Sequence, residues 1–247
     1  MSRVSRAFRI GTKIIKYFFI LLVVAINVFF LWRIFSSNDP SSLKALSPNE
    51  SLAAAYEADG DLVGMFSQEQ RSITSGEENY GLFAVSKTVF IPSANQIQIT
   101  VRYNNSTLRR TQEKYGLSEV PARDADVYDV SLLIVTDLTP EDDSDNLSLS
   151  EDSVKQTRIF PSYCEKEQKN LYNFRRFVFD LGDVDLAQIV KDGTLISVFT
   201  DIYYVGDVDY EKTPYGTLCL YDYITETYDV KISSADRKAI EEWRSKK

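Results

Sequence analysis

The longest apolar run of the chain lies close to its first residue. Tyr17 to Trp32 is 16 residues without a charge, and Ile14 to Phe35 extends it to 22, with only Lys16 and Arg33 inside. As a helix, 16 residues reach about 24 Å, and snorkelling by Lys16 and Arg33 lengthens the usable span toward the roughly 30 Å of a hydrocarbon core. Tyr17 and Trp32 bracket the run where interfacial aromatics sit. The run ends in Phe-Phe-Leu-Trp-Arg-Ile-Phe without a small-x-small cleavage site. That predicts a retained anchor over 14–35 in preference to a removed signal peptide.

After the anchor the periodicity disappears. Residues 36–47, rich in serine and containing Asn38-Asp39-Pro40, read as a flexible stalk. A short helix is then predicted, with Ser47 as N-cap, Pro48 in the first turn, Glu50 completing a capping box, and an end near Glu57. From Tyr80 the period becomes two. Ile97, Ile99, Val101 and Tyr103 alternate with Gln96, Gln98, Thr100 and Arg102. Further strands are expected over 81–91, 126–138, 154–160, 170–181, 194–205, 215–224 and 227–232. Several carry apolar residues on both faces, as in Val130-Ser-Leu-Leu-Ile-Val135, which suits the inner strands of a two-layer structure. Ser233 and Asp236 start a final helix whose apolar positions are Ala239, Ile240 and Trp243. The fold class expected is mainly β. It comprises an N-terminal transmembrane helix, a short stalk and helix, then an antiparallel β-sandwich with a C-terminal helix. A β-barrel is the alternative, because periodicity does not separate closed from open sheets. The expected segments are a basic tail (1–13), the anchor (14–35), the stalk with its helix (36–79), the sandwich (80–232) and the last helix (233–247).

Composition narrows the chemistry. There is no histidine in the 247 residues, which excludes Ser-His-Asp and Cys-His nucleophile systems and imidazole metal sites. Two cysteines cannot build a four-thiolate centre, and neither a G-x-G-x-x-G nor a P-loop motif is present. No cofactor and no metal are expected. Residues 1–33 hold six of the 28 basic residues and none of the 36 acids, leaving 22 bases against 36 acids in the rest. So acidic a body repels phosphates, and nucleic acid is rejected as a partner. Five bases precede the apolar run and only Arg33 follows it closely. The positive-inside rule then places the N-terminus in the cytoplasm and the C-terminal body outside.

Few motifs carry chemistry. The acidic, serine-rich stretch 140–152 lacks the glycine and glutamate of a calcium loop and reads as a solvated connection. Gly-Asp-Val-Asp occurs at 182–185 and 206–209, after strands, where glycine and aspartate serve turns as readily as metal or acid/base work. Tyr204, Tyr210, Tyr215 and Tyr221 are the candidate ligand-binding platform, since tyrosine joins an apolar ring to a polar tip. Arg175 and Arg176 lie in an apolar strand, so one of them points inward or the strand bulges. Cys164 and Cys219 form a candidate disulfide closing a loop of about 55 residues, against a reading as two free thiols. Asn49, Asn104, Asn105 and Asn146 each open an Asn-x-Ser/Thr triplet.

The stretches Asn95-Gln-Ile-Gln-Ile-Thr-Val-Arg-Tyr103, Asn173-Phe-Arg-Arg-Phe-Val-Phe-Asp180 and Pro214-Tyr-Gly-Thr-Leu-Cys-Leu-Tyr-Asp222 resemble single-pass membrane proteins of Gram-positive, Clostridium-like bacteria. The resemblance covers roughly residues 80–225. It implies a cell-surface setting and transfers no activity. The expected function is a non-enzymatic interaction module of the cell envelope, contacting the membrane and another envelope protein. A module binding carbohydrate or wall polymer is the alternative, and a carboxylate-dependent glycan hydrolase comes third.

Overall fold

The computed structural model describes residues 3–37, 40–60, 66–68, 71–72, 83–137, 154–192, 196–207, 216–221 and 232–247. The chain divides into two compact units, residues 1–39 and 40–247. The first contains one helix, α1 (Arg3–Ser37). Its segment Ile15–Ser36, 22 residues of mean hydropathy 2.5, is long and apolar enough to cross a membrane. It spans about 33 Å at 1.5 Å per residue, longer than the charge-free run alone. Asn27, in mid-span, donates to the Val23 carbonyl at 2.7 Å, so its amide is satisfied within the helix.

The second unit opens with α2 (Glu50–Ala58) and the short strands β1 (Phe66–Gln68) and β2 (Arg71–Ser72). Next come β3 (Phe83–Ile91), β4 (Gln96–Asn104), α3 (Asn105–Tyr115), β5 (Tyr128–Asp137) and β6 (Val154–Ile159). The order continues with β7 (Tyr163–Gln168), β8 (Tyr172–Asp180), α4 (Leu186–Asp192), β9 (Ile196–Tyr204), β10 (Gly216–Tyr221) and α5 (Ser234–Arg244). The strands form two antiparallel sheets, β1-β3-β4-β8-β7 with β2 also on β3, and β10-β9-β5-β6. Ile97, Ile99 and Val101 of β4 and Phe177 and Phe179 of β8 share one buried cluster with Val130, Leu132 and Ile134 of β5 and Val198 and Ile202 of β9. One face of each sheet thus feeds a common core.

The expectations for β4 need correction on its other face. Its polar positions are not solvated: Gln96, Gln98 and Thr100 are all buried. The segment expected as a flexible stalk lies over them. From Pro40 onward that segment belongs to the second unit, with Leu43, Leu46 and Ser47 buried. Gln98 holds it as a strand neighbour would, accepting from the Ser47 amide and donating to the Ser47 carbonyl, both at 2.9 Å. The α2 N-cap is Asn49, whose side chain accepts from the Leu52 amide, and not Ser47 as expected. A second apolar cluster forms on this side of β3: Val89 and Ile91 meet Leu46 from this segment (40–49, the strap), Leu52 and Ala53 from α2, and Ile240 from α5. The Ser233/Asp236 capping box of α5 is present as read from the sequence.

Two helices were not anticipated. α3 is polar overall and buries only Thr107, Leu108 and Thr111, too narrow a stripe for a sequence pattern. Its signals are local: a capping box between Asn104 and Thr107, and Gly116 at φ 62° closing the C-terminus. α4 follows the first Gly-Asp-Val-Asp, where Gly182 takes φ 56° and Asp185 accepts from the Gln188 amide at 2.9 Å. That motif is therefore a turn and a helix start. β7 was also missed, because its Glu165-Lys-Glu-Gln168 carries the charges of an edge strand. The acidic stretch 140–152 and residues 227–231 of the predicted strand 227–232 lie outside the described residues.

Inside the core, the Tyr128 ring meets those of Phe83 and Tyr103 edge to face, at 4.8 and 4.9 Å. The buried Tyr103 hydroxyl has no hydrogen-bond partner among the described residues. Tyr103→Phe is therefore expected to raise stability by about 1 kcal/mol, since it removes a desolvated, unbonded hydroxyl. Calorimetric melting checks this, and a loss of stability of that size would contradict it.

Candidate functional site

The candidate site is a cleft of about 670 Å³ on the strap side of the second unit. One wall is the start of α2, with Glu50, Ser51 and the preceding Pro48; another is α5, with Ala239, Glu242 and Trp243, and Lys246 just beyond it. The third is the corner between β6 and β7, with Ser162, Tyr163 and Glu165. Asp180, the last residue of β8, also lines the cleft. Tyr163 is 52% exposed, whereas Trp243 is half-buried against the second apolar cluster.

Asp180 organises this region. Asn49 Nδ2 lies 3.1 Å and Gln96 Nε2 2.9 Å from its Oδ1. Gln98 in turn donates to Gln96 Oε1 at 2.7 Å, so a polar chain runs from the strap through β4 to the mouth of α2. Partial burial opposes the charged form of Asp180. Hydrogen bonds from Gln96, Ser162, Asn49 and Ser51 outweigh it and hold the carboxyl below its ordinary 3.8. A carboxylate held ionised in this way is an acceptor and does not supply a proton as a general acid. Its contribution to stability is fully present above 3.8 and is lost as pH falls through the lower folded-state value. The stability gap between the native chain and Asp180→Asn is therefore expected to narrow as pH drops below about 4, read by urea denaturation across a pH series. A gap that does not change with pH would refute that role.

The sequence-based platform is not assembled among the described residues. Tyr204 is half-buried, its ring 4.4 Å from that of Tyr115, and it covers Gly206 so closely that a Cβ there would lie 2.5 Å from its ring. It is an internal packing residue. Tyr210 and Tyr215 lie outside the described residues, and Tyr221 is placed only by its backbone, opposite Val198 at the end of β10. Cys164 is a free, half-buried thiol on β7, and burial raises its pKa to about 11. Cys219 sits on β10, which ends the other sheet and approaches β2, on the side of the large sheet away from β7. The free Cys164 thiol fits the free-thiol reading and not the candidate disulfide.

The two arginines face opposite ways without a bulge. Arg175 donates to the carbonyls of Arg123 and Ala125 at the end of the core. Arg176 points under the strap, donating to the Ala45 carbonyl and lying 3.7 Å from Glu165. Asn49 and Asn104 use their side chains as helix caps. Among the described residues no group of three or more acidic or thiol side chains is placed to hold a metal ion. The cleft was missed because its walls come from four distant stretches; the one hint was Trp243 at the edge of the α5 stripe. Comparison of the chain with protein-family models, with curated proteins and with solved structures finds no match.

Proposed function

We propose that this chain is a single-pass protein of the cell membrane and a non-enzymatic interaction module of the cell envelope. Its N-terminus is cytoplasmic, its second unit is an extracytoplasmic β-sandwich, and its binding surface for another envelope protein is the cleft between α2, α5 and β7. The bias of bases toward residues 1–16 supports the orientation, and the core shared by the two sheets supports the sandwich. The observation that carries the function is the cleft itself: a concavity with aromatic side chains on two walls, whose Asp180 carboxylate is already committed to structural bonds.

In-cell cross-linking tests this reading. A photoreactive residue at Tyr163 in the full chain is expected to give a discrete protein adduct that the same residue at Arg109, on the exposed side of α3, does not give. Co-sedimentation with purified wall polymer in the absence of any Tyr163 adduct would overturn it in favour of glycan binding.

A further inference from the structure

The charge and the rings of the cleft define what enters it. Glu50, Glu165, Asp180 and Glu242 line it against one basic residue, Lys246. Trp243 also borders a smaller hollow of about 310 Å³ with Glu50, Glu57, Arg244 and Lys247, where Arg244 pairs with Glu57 at 3.0 Å and leaves Glu50 to Lys247. In that hollow the Lys247 ammonium lies 4.5 Å from the centroid of the Trp243 ring and 3.5 Å from Glu50 Oε1. An indole face and a carboxylate around one ammonium form a cation seat, and a lysyl side chain of this chain occupies it.

Resting on the reading of the cleft as a protein-binding surface, we propose that it receives a lysyl or arginyl side chain of the partner polypeptide. The partner's cationic head replaces the Lys247 ammonium over Trp243 and against Glu50, and the larger cleft takes the adjoining residues. Lys247 is then a built-in competitor that keeps the seat filled until the partner arrives. The Lys247–Glu50 ion pair is solvent-exposed, so it yields readily to a ligand held by further contacts along the cleft. The excess of carboxylates around the cleft steers cations toward it and disfavours acidic partners.

The test uses the full chain in nanodiscs with Trp32→Phe, which leaves Trp243 as the single tryptophan. The probe is a short lysine-glycine peptide, compared with its acetylated form and with an uncharged N-acetylglucosamine tetramer. A saturable change in Trp243 emission is expected with the lysine peptide and not with the acetylated one. Glu50→Gln should weaken binding about two- to five-fold, and Lys247→Ala should tighten it by a similar factor. No saturable change, an equal response to the acetylated peptide, or unchanged affinity in Lys247→Ala would overturn the inference. If Tyr163 still cross-links a partner in that case, the interaction reading survives and only the cationic seat falls. A response to the N-acetylglucosamine tetramer alone would overturn both.

Discussion

Arg176→Ala is expected to cost the second unit about 3 kcal/mol, one of its largest single-residue losses. Arg176 is 2% exposed, and its guanidinium donates to the Ala45 carbonyl and, at 3.4 Å, to Thr100 Oγ1, with Glu165 3.7 Å away. Truncation leaves a half-buried carbonyl and a half-buried carboxylate without their cation, and a void beneath the strap. Arg176→Lys should not restore the loss, because one ammonium cannot reach the strap, β4 and β7 together. Urea denaturation of the full chain in detergent measures the cost. Hydrogen exchange should show amides of residues 42–49 opening while those of β4 stay protected. A variant within about 0.5 kcal/mol of the native chain would mean that Arg176 does not pin the strap.

Asp236→Ala is the companion case, expected to cost about 2–4 kcal/mol. Its Oδ2 accepts from the Ser233 amide at 2.9 Å and the Ser233 hydroxyl at 2.7 Å, and its Oδ1 accepts from the buried Leu46 amide at 2.7 Å. One carboxylate thus closes the α5 cap and ties that helix to the strap. Arg176 holds the carbonyl of Ala45 and Asp236 the amide of the next residue, so the two side chains grip consecutive residues. The double variant should therefore lose less than the sum of the singles, by about 1 kcal/mol or more, because a strap released by one cannot be released again by the other. Strict additivity in the cycle would show that the two contacts act independently.

The cleft depends on this strap. Pro48, Asn49 and Glu50 reach its wall only because Ala45, Leu46 and Ser47 are fixed across β4 and β8. Both substitutions should therefore reduce cross-linking at Tyr163 as well as stability.

Elements whose signal is local or strictly periodic could be read directly. The apolar run of α1 needs no tertiary partner to be recognised, the period-two pattern of β4 marks a strand in any context, and Ser233 and Asp236 cap α5 through bonds three residues apart. β7 failed because an edge strand keeps its charges, and α3 failed because most of its surface is solvated. The Tyr204 platform failed for a related reason: the composition of a tyrosine-rich stretch does not say which ring is stacked internally, and Tyr115 is what covers this one.

By itself, then, the sequence determined the apolar helix, the mainly β character of the body and the absence of histidine chemistry, because these follow from hydrophobicity, backbone period and composition, which are properties of short segments. Only the tertiary structure decided that Gln96, Gln98 and Thr100 are buried, that the serine-rich segment after Pro40 is a strap, and that residues 47–51, 162–165, 180 and 239–246 share one cleft. Polar residues look alike in sequence whether water or another segment satisfies them. Here the other segment supplies the missing bonds from positions as far as 190 residues away.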